Sequence, residues 1–251
     1  MKEIMKLNKW ASIISLSLAM LCFNASADVV LSTTRIIYKE GSKTVNVRME
    51  NQGSRPLLIQ TWMDRGNKDS DPGTITAPFV ITPPISRIDP KRGQTVSFLY
   101  SGSEPLAKDR ESVFWFNVLE IPPKVTESAR KDASVLQMAF RTRIKLFYRP
   151  ESIGGDLAAA KAIEVVKWST GIENGKVIIK GKNDSPFHVS YVSAKIISGH
   201  KIIDLESSMI APFSQGSFAV KNNQSIPAGS TIEYNAINDF GGIVKGKSPI
   251  L

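Results

Sequence analysis

A chain of 251 residues with 42% hydrophobic residues is long enough for one large domain or two ordinary ones. Its formal net charge of +9 would suit nucleic acid, an anionic membrane surface or a basic soluble protein, but the cations are scattered and cluster only briefly, as from Arg141 to Lys145. The single cysteine, Cys22, lies in the N-terminal leader, which excludes a disulfide framework, a thiol nucleophile and every cysteine-based metal site from the rest of the chain.

Lys2, Lys6 and Lys9 make a positive start, an apolar run follows from Trp10 to Phe23, and Ala25-Ser26-Ala27 is the small-residue pattern that a signal peptidase cuts after. The run is shorter than the ~20 residues a bilayer demands, so a retained anchor helix is the weaker reading. A lipoprotein leader is weaker still, because Leu21 stands before Cys22 where a small side chain is wanted. Residues 1–27 therefore read as a cleaved signal peptide, with Asp28 as the first mature residue. The leader carries three Lys and one Glu, which leaves a net charge of +7 on the remainder. Export argues against nucleic acid as a partner.

From Asp28 onward the pattern is that of strands. Val45, Val47 and Met49 alternate with polar residues before the turn Asn51-Gln52-Gly53, and Leu57 to Trp62 resumes an apolar strand. Asn67 to Gly73 is a turn cluster; Val96, Phe98 and Tyr100 alternate; Ser112 to Leu119 is a dense aromatic strand. Short helices are expected only at Asp156–Lys161 and in the polar stretch Thr126–Asp132. The pattern loosens after Tyr148-Arg149-Pro150 and restarts at Gly175–Gly181, Phe187–Ile197, Gly216–Val220 and Ser230–Asn235. This predicts an all-β chain of two immunoglobulin-like sandwiches, at 28–148 and 152–251, each near the ~100 residues usual for that fold. No internal repeat links the halves.

Enzyme chemistry is missing. His188 and His200 have no recognisable nucleophile or ligand spacing around them, and each reads as a structural or surface histidine. There is no phosphate loop, nucleophile elbow or HExxH, and Gly241-Gly242 is a turn signal. No cofactor or metal site is expected.

One segment stands out. From Val135 to Phe147 the even positions are Leu136, Met138, Phe140, Thr142, Ile144 and Leu146, while Gln137, Arg141, Arg143 and Lys145 occupy odd ones. Alternation over a dozen residues is about twice a typical strand and spans roughly 40 Å. One reading is a long core strand with a wet basic face. The other is a strand that fills its own core at one end and serves a partner at the other, since most proteins blunt an apolar edge.

Here the sequence resembles the periplasmic pilus (fimbrial) chaperones of the chaperone–usher pathway, the PapD-like family. Asp109-Arg110-Glu111-Ser112, Phe114-Trp115-Phe116-Asn117 and Ile121-Pro122-Pro123 resemble one diagnostic block, and Arg143-Ile144-Lys145-Leu146-Phe147-Tyr148-Arg149-Pro150 the other. Asn51, Pro56, Gln60, Trp62, Pro78-Phe79 and Thr82-Pro83-Pro84 fit the first domain, and Ile237-Asn238-Asp239-Phe240-Gly241-Gly242 a late motif of the second. The resemblance covers the whole mature chain. It implies two immunoglobulin-like domains set at an angle about a cleft, a periplasmic location, pilin subunits and an outer-membrane usher as partners, and no membrane insertion. By motif position it implies that Arg35, in Ser32-Thr33-Thr34-Arg35, and Lys145 bind a subunit's C-terminal carboxylate, a task suited to a guanidinium and an ammonium. Leu136, Met138 and Phe140 fall at its donor-strand positions, where three such side chains contribute roughly 5–9 kcal/mol before ordering costs. Glu111, Arg149 and Asp239 fall at an interdomain ionic network. Alternation puts Lys145 on the face opposite the donor side chains, so it alone does not bring Lys145 to a cleft. The connection from Pro123 to Val135 is short and without cysteines, which favours the short-loop branch and rod-like pili. The resemblance leaves open whether the free chaperone caps itself as a dimer. The competing reading is a secreted immunoglobulin-like adhesin or pilus subunit.

Overall fold

The structure is a computed structural model, which describes residues 28–124, 137–206, 208–220 and 224–251. The leader, Leu136, Thr126–Asp132 and residues 125–135 of the connection used for the short-loop reading lie outside the described residues.

The first sandwich has strands β1 (Val29–Leu31), β2 (Arg35–Lys39), β3 (Val45–Asn51), β4 (Leu57–Asp64), β5 (Phe79–Thr82), β6 (Ile85–Ile88), β7 (Gly93–Tyr100), β8 (Ser112–Ile121) and β9 (Phe140–Arg149). They form two sheets, β1-β3-β7-β5 and β2-β9-β8-β4-β6. Alternation decides what lies between them: Val47, Met49, Val96 and Phe98 from one sheet meet Ile59, Phe116, Val118 and Leu146 from the other, all buried. Tyr38, Phe79, Phe114, Tyr100 and Tyr148 continue this core as a chain of ring contacts at 5.0–6.0 Å.

A 3₁₀ turn (Glu151–Ile153) and one helix, α1 (Asp156–Glu164), follow β9. The helix runs three residues past the expected Lys161, because Ala159, Ala162 and Ile163 seal the second core. That sandwich comprises β10 (Lys167–Glu173), β11 (Lys176–Asn183), β12 (Val189–Ser198), β13 (Lys201–Leu205), β14 (Met209–Ile210), β15 (Ser214–Ala219), β16 (Thr231–Ile237) and β17 (Ile243–Pro249). Its sheets are β10-β11-β15 and β13-β12-β16-β17, with β14 added to β12. Trp168 is the hub, 5.2 Å from Phe218, 5.3 Å from Tyr191 and 6.2 Å from Tyr234. The chain is thus all-β, built as two sandwich domains with separate cores.

The start of the chain changes sheets. β1 pairs with β3, but β2 pairs in parallel with β9, from Arg35↔Lys145 to Lys39↔Arg149. Between them the Thr33 hydroxyl donates to the Arg35 carbonyl at 2.6 Å and receives the Arg35 N–H at 3.3 Å. This side-chain bonding competes with a ladder and marks where β2 begins. On the β2 side of β9, Phe140–Ile144 therefore has no strand partner among the described residues.

Strand β9 also starts later than its pattern suggests. Alternation runs from Val135, yet the ladder opens at Glu120↔Phe140. Continuing it would place Pro122 and Pro123 opposite Met138 and Gln137, and proline has no N–H to give. The Gln137 amide instead donates to the Pro122 and Pro123 carbonyls at 3.2 and 2.9 Å.

Glycine at 181 is dictated by the hub of the second core. A Cβ there would stand 2.6 Å from Ile210 Cδ1 and 2.9 Å from the Trp168 ring. Gly181→Ala should destabilise the protein by about 1–3 kcal/mol through overpacking. Chemical denaturation against wild type measures it; an unchanged midpoint would mean that Trp168 moves freely.

Candidate functional site: a basic sheet face and an open edge

The outer face of the β2-β9-β8-β4-β6 sheet is built from the residues the core does not use. Odd positions of β9 point outward, as do Trp115 and Asn117 of β8 and Trp62 and Asp64 of β4, their register partners. This face is turned towards the second domain at its Arg149 end. The Phe147 ring lies 5.3 Å from the His188 ring, the Arg35 Nη1 donates to the Ile237 carbonyl at 3.0 Å, and Lys145 Nζ reaches Ser190 Oγ at 3.5 Å. Lys145 stands in the cleft because the cleft lies on this face, opposite the face that fills the core. The alternation had to be joined to the domain arrangement before it could say so.

Four cations along β9 have different surroundings. The Arg141 guanidinium lies 4.8 Å from the Trp62 ring centroid, and that of Arg143 lies 4.7 Å from Trp115. Arg143 also donates to both oxygens of Asp64, through Nε at 2.8 Å and through Nη2, while Arg141 donates to Asn117 Oδ1 at 2.7 and 2.9 Å. Burial opposes ionisation of Asp64, yet hydrogen bonds from Arg143, Asn117 and the Gly66 N–H together hold its carboxyl below the usual aspartate range. None of this was expected. Arg143 and Asp64 are 79 residues apart, and only the regular basic spacing hinted at a ladder.

Lys145 and Arg35 are treated otherwise. They are register partners, and neither belongs to an ion pair among the described residues. Burial, then the positive charges of Arg35 and Arg143, press the Lys145 ammonium below its ordinary value. Burial likewise lowers Arg35, against the attraction of Asp239 and Glu111. The Arg35 Nε is buried without a hydrogen-bond partner. Two adjacent, partly desolvated cations that share in no ion pair have the chemistry to receive a carboxylate. They sit where the open edge of β9 meets the start of β2. Along that edge Met138 is 56% and Phe140 44% exposed, enough apolar surface to matter to a partner. Leu136, the third expected donor residue, lies outside the described residues.

Arg149, at the far end of β9, is buried between the domains. It donates to Glu111 Oε1 at 2.9 Å and to Asp239 at 2.7 and 3.0 Å, and it also meets Asp156 at 3.1 Å. Burial disfavours its charge, but Asp239 and Glu111 outweigh that and raise its pKa. The second Glu111 oxygen accepts the His188 backbone N–H at 2.8 Å and faces its ring Nδ1 at 3.3 Å. Asp239 is presented by a tight turn: Asn238 Oδ1 accepts the Phe240 and Gly242 N–H groups at 3.1 and 2.8 Å. Gly241 has φ 82°, and a Cβ there would strike the Thr34 hydroxyl. The structure thus brings Glu111, Arg149 and Asp239 together, and adds Asp156 and His188, which sequence reasoning missed. Among the described residues no group of His, Cys, Asp and Glu could hold a metal, and no helix is long and apolar enough to cross a membrane.

Two measurements probe these ion pairs. Asp64 is stabilised when ionised, so its contribution is complete above the ordinary aspartate range and lost as pH falls through the lowered folded value. The stability gap between wild type and Asp64→Asn should therefore close on acidification from pH 7 towards about pH 2, read from denaturation midpoints; a gap independent of pH would show that the pair contributes nothing. Arg149→Ala leaves Glu111 buried and unpaired and should cost about 3–5 kcal/mol. Loss of less than about 1 kcal/mol in urea titrations would place the domain contact elsewhere.

Comparison with known proteins gives the geometry its family. Residues 28–154 match the family described as pili and flagellar-assembly chaperone, PapD N-terminal domain, and residues 161–248 match pili assembly chaperone PapD, C-terminal domain. The probable fimbrial chaperone YadV of Escherichia coli (strain K12) is 46% identical over 88% of this chain and 89% of its own. Its crystal structure superposes with a TM-score of 0.76 at 43% identity, over 89% of this chain and 100% of that one. The chaperone protein HifB of Haemophilus influenzae is 38% identical over 93% of both chains. The SafB chaperone of Salmonella enterica, solved with the SafA pilin, shares the fold at a TM-score of 0.71 and 24% identity, over 90% of this chain and 98% of that one. These matches support a chaperone role and not the adhesin or pilus-subunit reading. With a PapD match across each of its two sandwiches and a basic cleft between them, the chain belongs to the fimbrial chaperones of the chaperone–usher pathway.

Proposed function

We propose that this chaperone is exported, loses its leader after Ala27, and holds pilin subunits in the periplasm by lending them the open edge of β9, then passes them to an outer-membrane usher. The observation that carries the reading is the coincidence of that edge with Arg35 and Lys145. A strand laid along Phe140–Ile144 in line with β2 and running the same way would end at the two cations, where a C-terminal carboxylate would meet both. Met138 and Phe140, with Leu136 before them, would then fill a groove in the subunit, each apolar side chain worth ~1.5–3 kcal/mol. Glu111, Arg149 and Asp239 would fix the angle of the cleft between units at 28–148 and 152–251. Buried ion pairs suit that task better than they suit stabilisation.

The anchor makes a prediction that an ordinary surface lysine would not. In the free protein Lys145 is pressed by burial and by Arg35 and Arg143, so removing its charge relieves a cost. Lys145→Met should leave the free chaperone as stable as wild type or more so, while recovery of a soluble one-to-one complex with a co-expressed cognate pilin falls at least tenfold. Equal capture by both proteins would remove Lys145 from the site and leave the edge strand to act alone. A loss of capture that tracks a loss of stability would mean that Lys145 is structural.

A further inference from the structure

Glu120 is the buried acid that the chaperone reading does not use. It lies on the core face of β8 and is 2% exposed. Its Oε2 accepts the Val29 N–H at 3.3 Å, and Oε1 is buried with no hydrogen-bond partner. Asp28 precedes Val29 in the chain, so its backbone nitrogen lies beside the same carboxyl. Its register neighbours, Ile59 of β4 and Phe140 of β9, are apolar, and the charged group acting on it among the described residues is the Asp28 side chain. Burial raises its pKa, the Asp28 carboxylate adds to that, and the backbone at Val29 and Asp28 opposes it without cancelling it. A carboxyl so placed lacks a cation, and a half-paired buried acid is costly.

The missing cation is one covalent step away. Hydrolysis of the Ala27–Asp28 bond by one water leaves a carboxylate on Ala27 and an amine on Asp28, which takes up a proton at neutral pH. The Asp28 nitrogen, one residue before the Val29 donor, then carries three hydrogens and a full charge beside Glu120. We infer that removal of the leader creates a buried ion pair between the new Asp28 α-ammonium and Glu120, which clasps the three-residue edge strand β1 to β8 beneath the first residue of β9. The inference rests on cleavage after Ala27. It goes beyond the chaperone reading, because it makes export processing a folding event: the precursor lacks the clasp and the processed chain has it.

The experiment uses the full processed protein from the periplasm. Intact mass comes first, since a chain that begins anywhere but Asp28 overturns the cleavage reading, and the inference with it, without touching the chaperone reading. Competitive acetylation of the α-amine from pH 6 to 10 then gives its titration midpoint in the native protein, in the same protein unfolded in denaturant, and in Glu120→Gln. The unfolded chain should titrate in the ordinary α-amino range, about 7.7–8.0, and the native chain at least about one unit higher, with the shift abolished in Glu120→Gln. A raised amine pKa stabilises the fold below the unfolded value and ceases to do so as pH rises through the folded one. The stability advantage of wild type over Glu120→Gln should accordingly vanish at alkaline pH. Native and unfolded midpoints that coincide would overturn the clasp, even if Glu120→Gln proved too unstable to purify. An upward shift that survives in Glu120→Gln would also overturn it, since another group would then be holding the amine.

Discussion

At the joint between the two domains lies one buried guanidinium. Arg149 has 3% of its side chain exposed and Glu111 has 2%, so both charges have surrendered their water. They are tolerable only together, and only while the Asn238–Gly242 turn of the second domain brings Asp239 to the same place. Apolar surfaces can slide over one another at little cost; a guanidinium with carboxylates on two sides cannot. Because Arg149 closes β9, the strand that bears the open edge and Lys145 also bears the joint. The joint and the open edge thus share ten residues of continuous backbone.

The same strand gives its cations opposite environments within a few residues. Arg141 and Arg143 are laid on indole rings and bonded to Asn117 and Asp64, so their charge is spent internally. Buried Arg35 and half-buried Lys145 stand side by side, and among the described residues neither forms an ion pair, although Asp239 and Glu111 attract Arg35 from a distance. Such a pair costs the free protein stability, and an anionic guest of the kind proposed would relieve that cost. Flanking arginines that are already satisfied would compete little for that guest.

Strand content, the two cores and the basic rhythm of β9 were legible because alternation is a local property: Val47, Met49, Val96 and Phe98 declare their faces through their neighbours alone. Whatever depends on partners distant in sequence was not. Asp64 gives no hint that Arg143 lies above it, and Glu120 reads as one more polar residue in an aromatic strand. The late start of β9 was missed for a subtler reason. The side chains from Val135 onward alternate correctly, but a strand also requires willing partners, and Pro122 and Pro123 decline. The placement of Lys145 was readable only by family resemblance, since a pattern distinguishes two faces without saying which one meets the second domain.

If a partner's carboxylate rests at Lys145 as proposed, the ladder of defined register turns the edge of β9 into a ruler with its zero mark there. A tail whose carboxylate rests there has every earlier residue assigned an odd or an even place by counting backward. Side chains on one parity lie with Met138 and Phe140, and those on the other face the guanidinium ladder. A single inserted or deleted residue near the end of the tail would exchange the two sets along its whole length. Selectivity of this kind resides in arithmetic, and it discriminates between sequences of nearly identical composition without a pocket for any one of them.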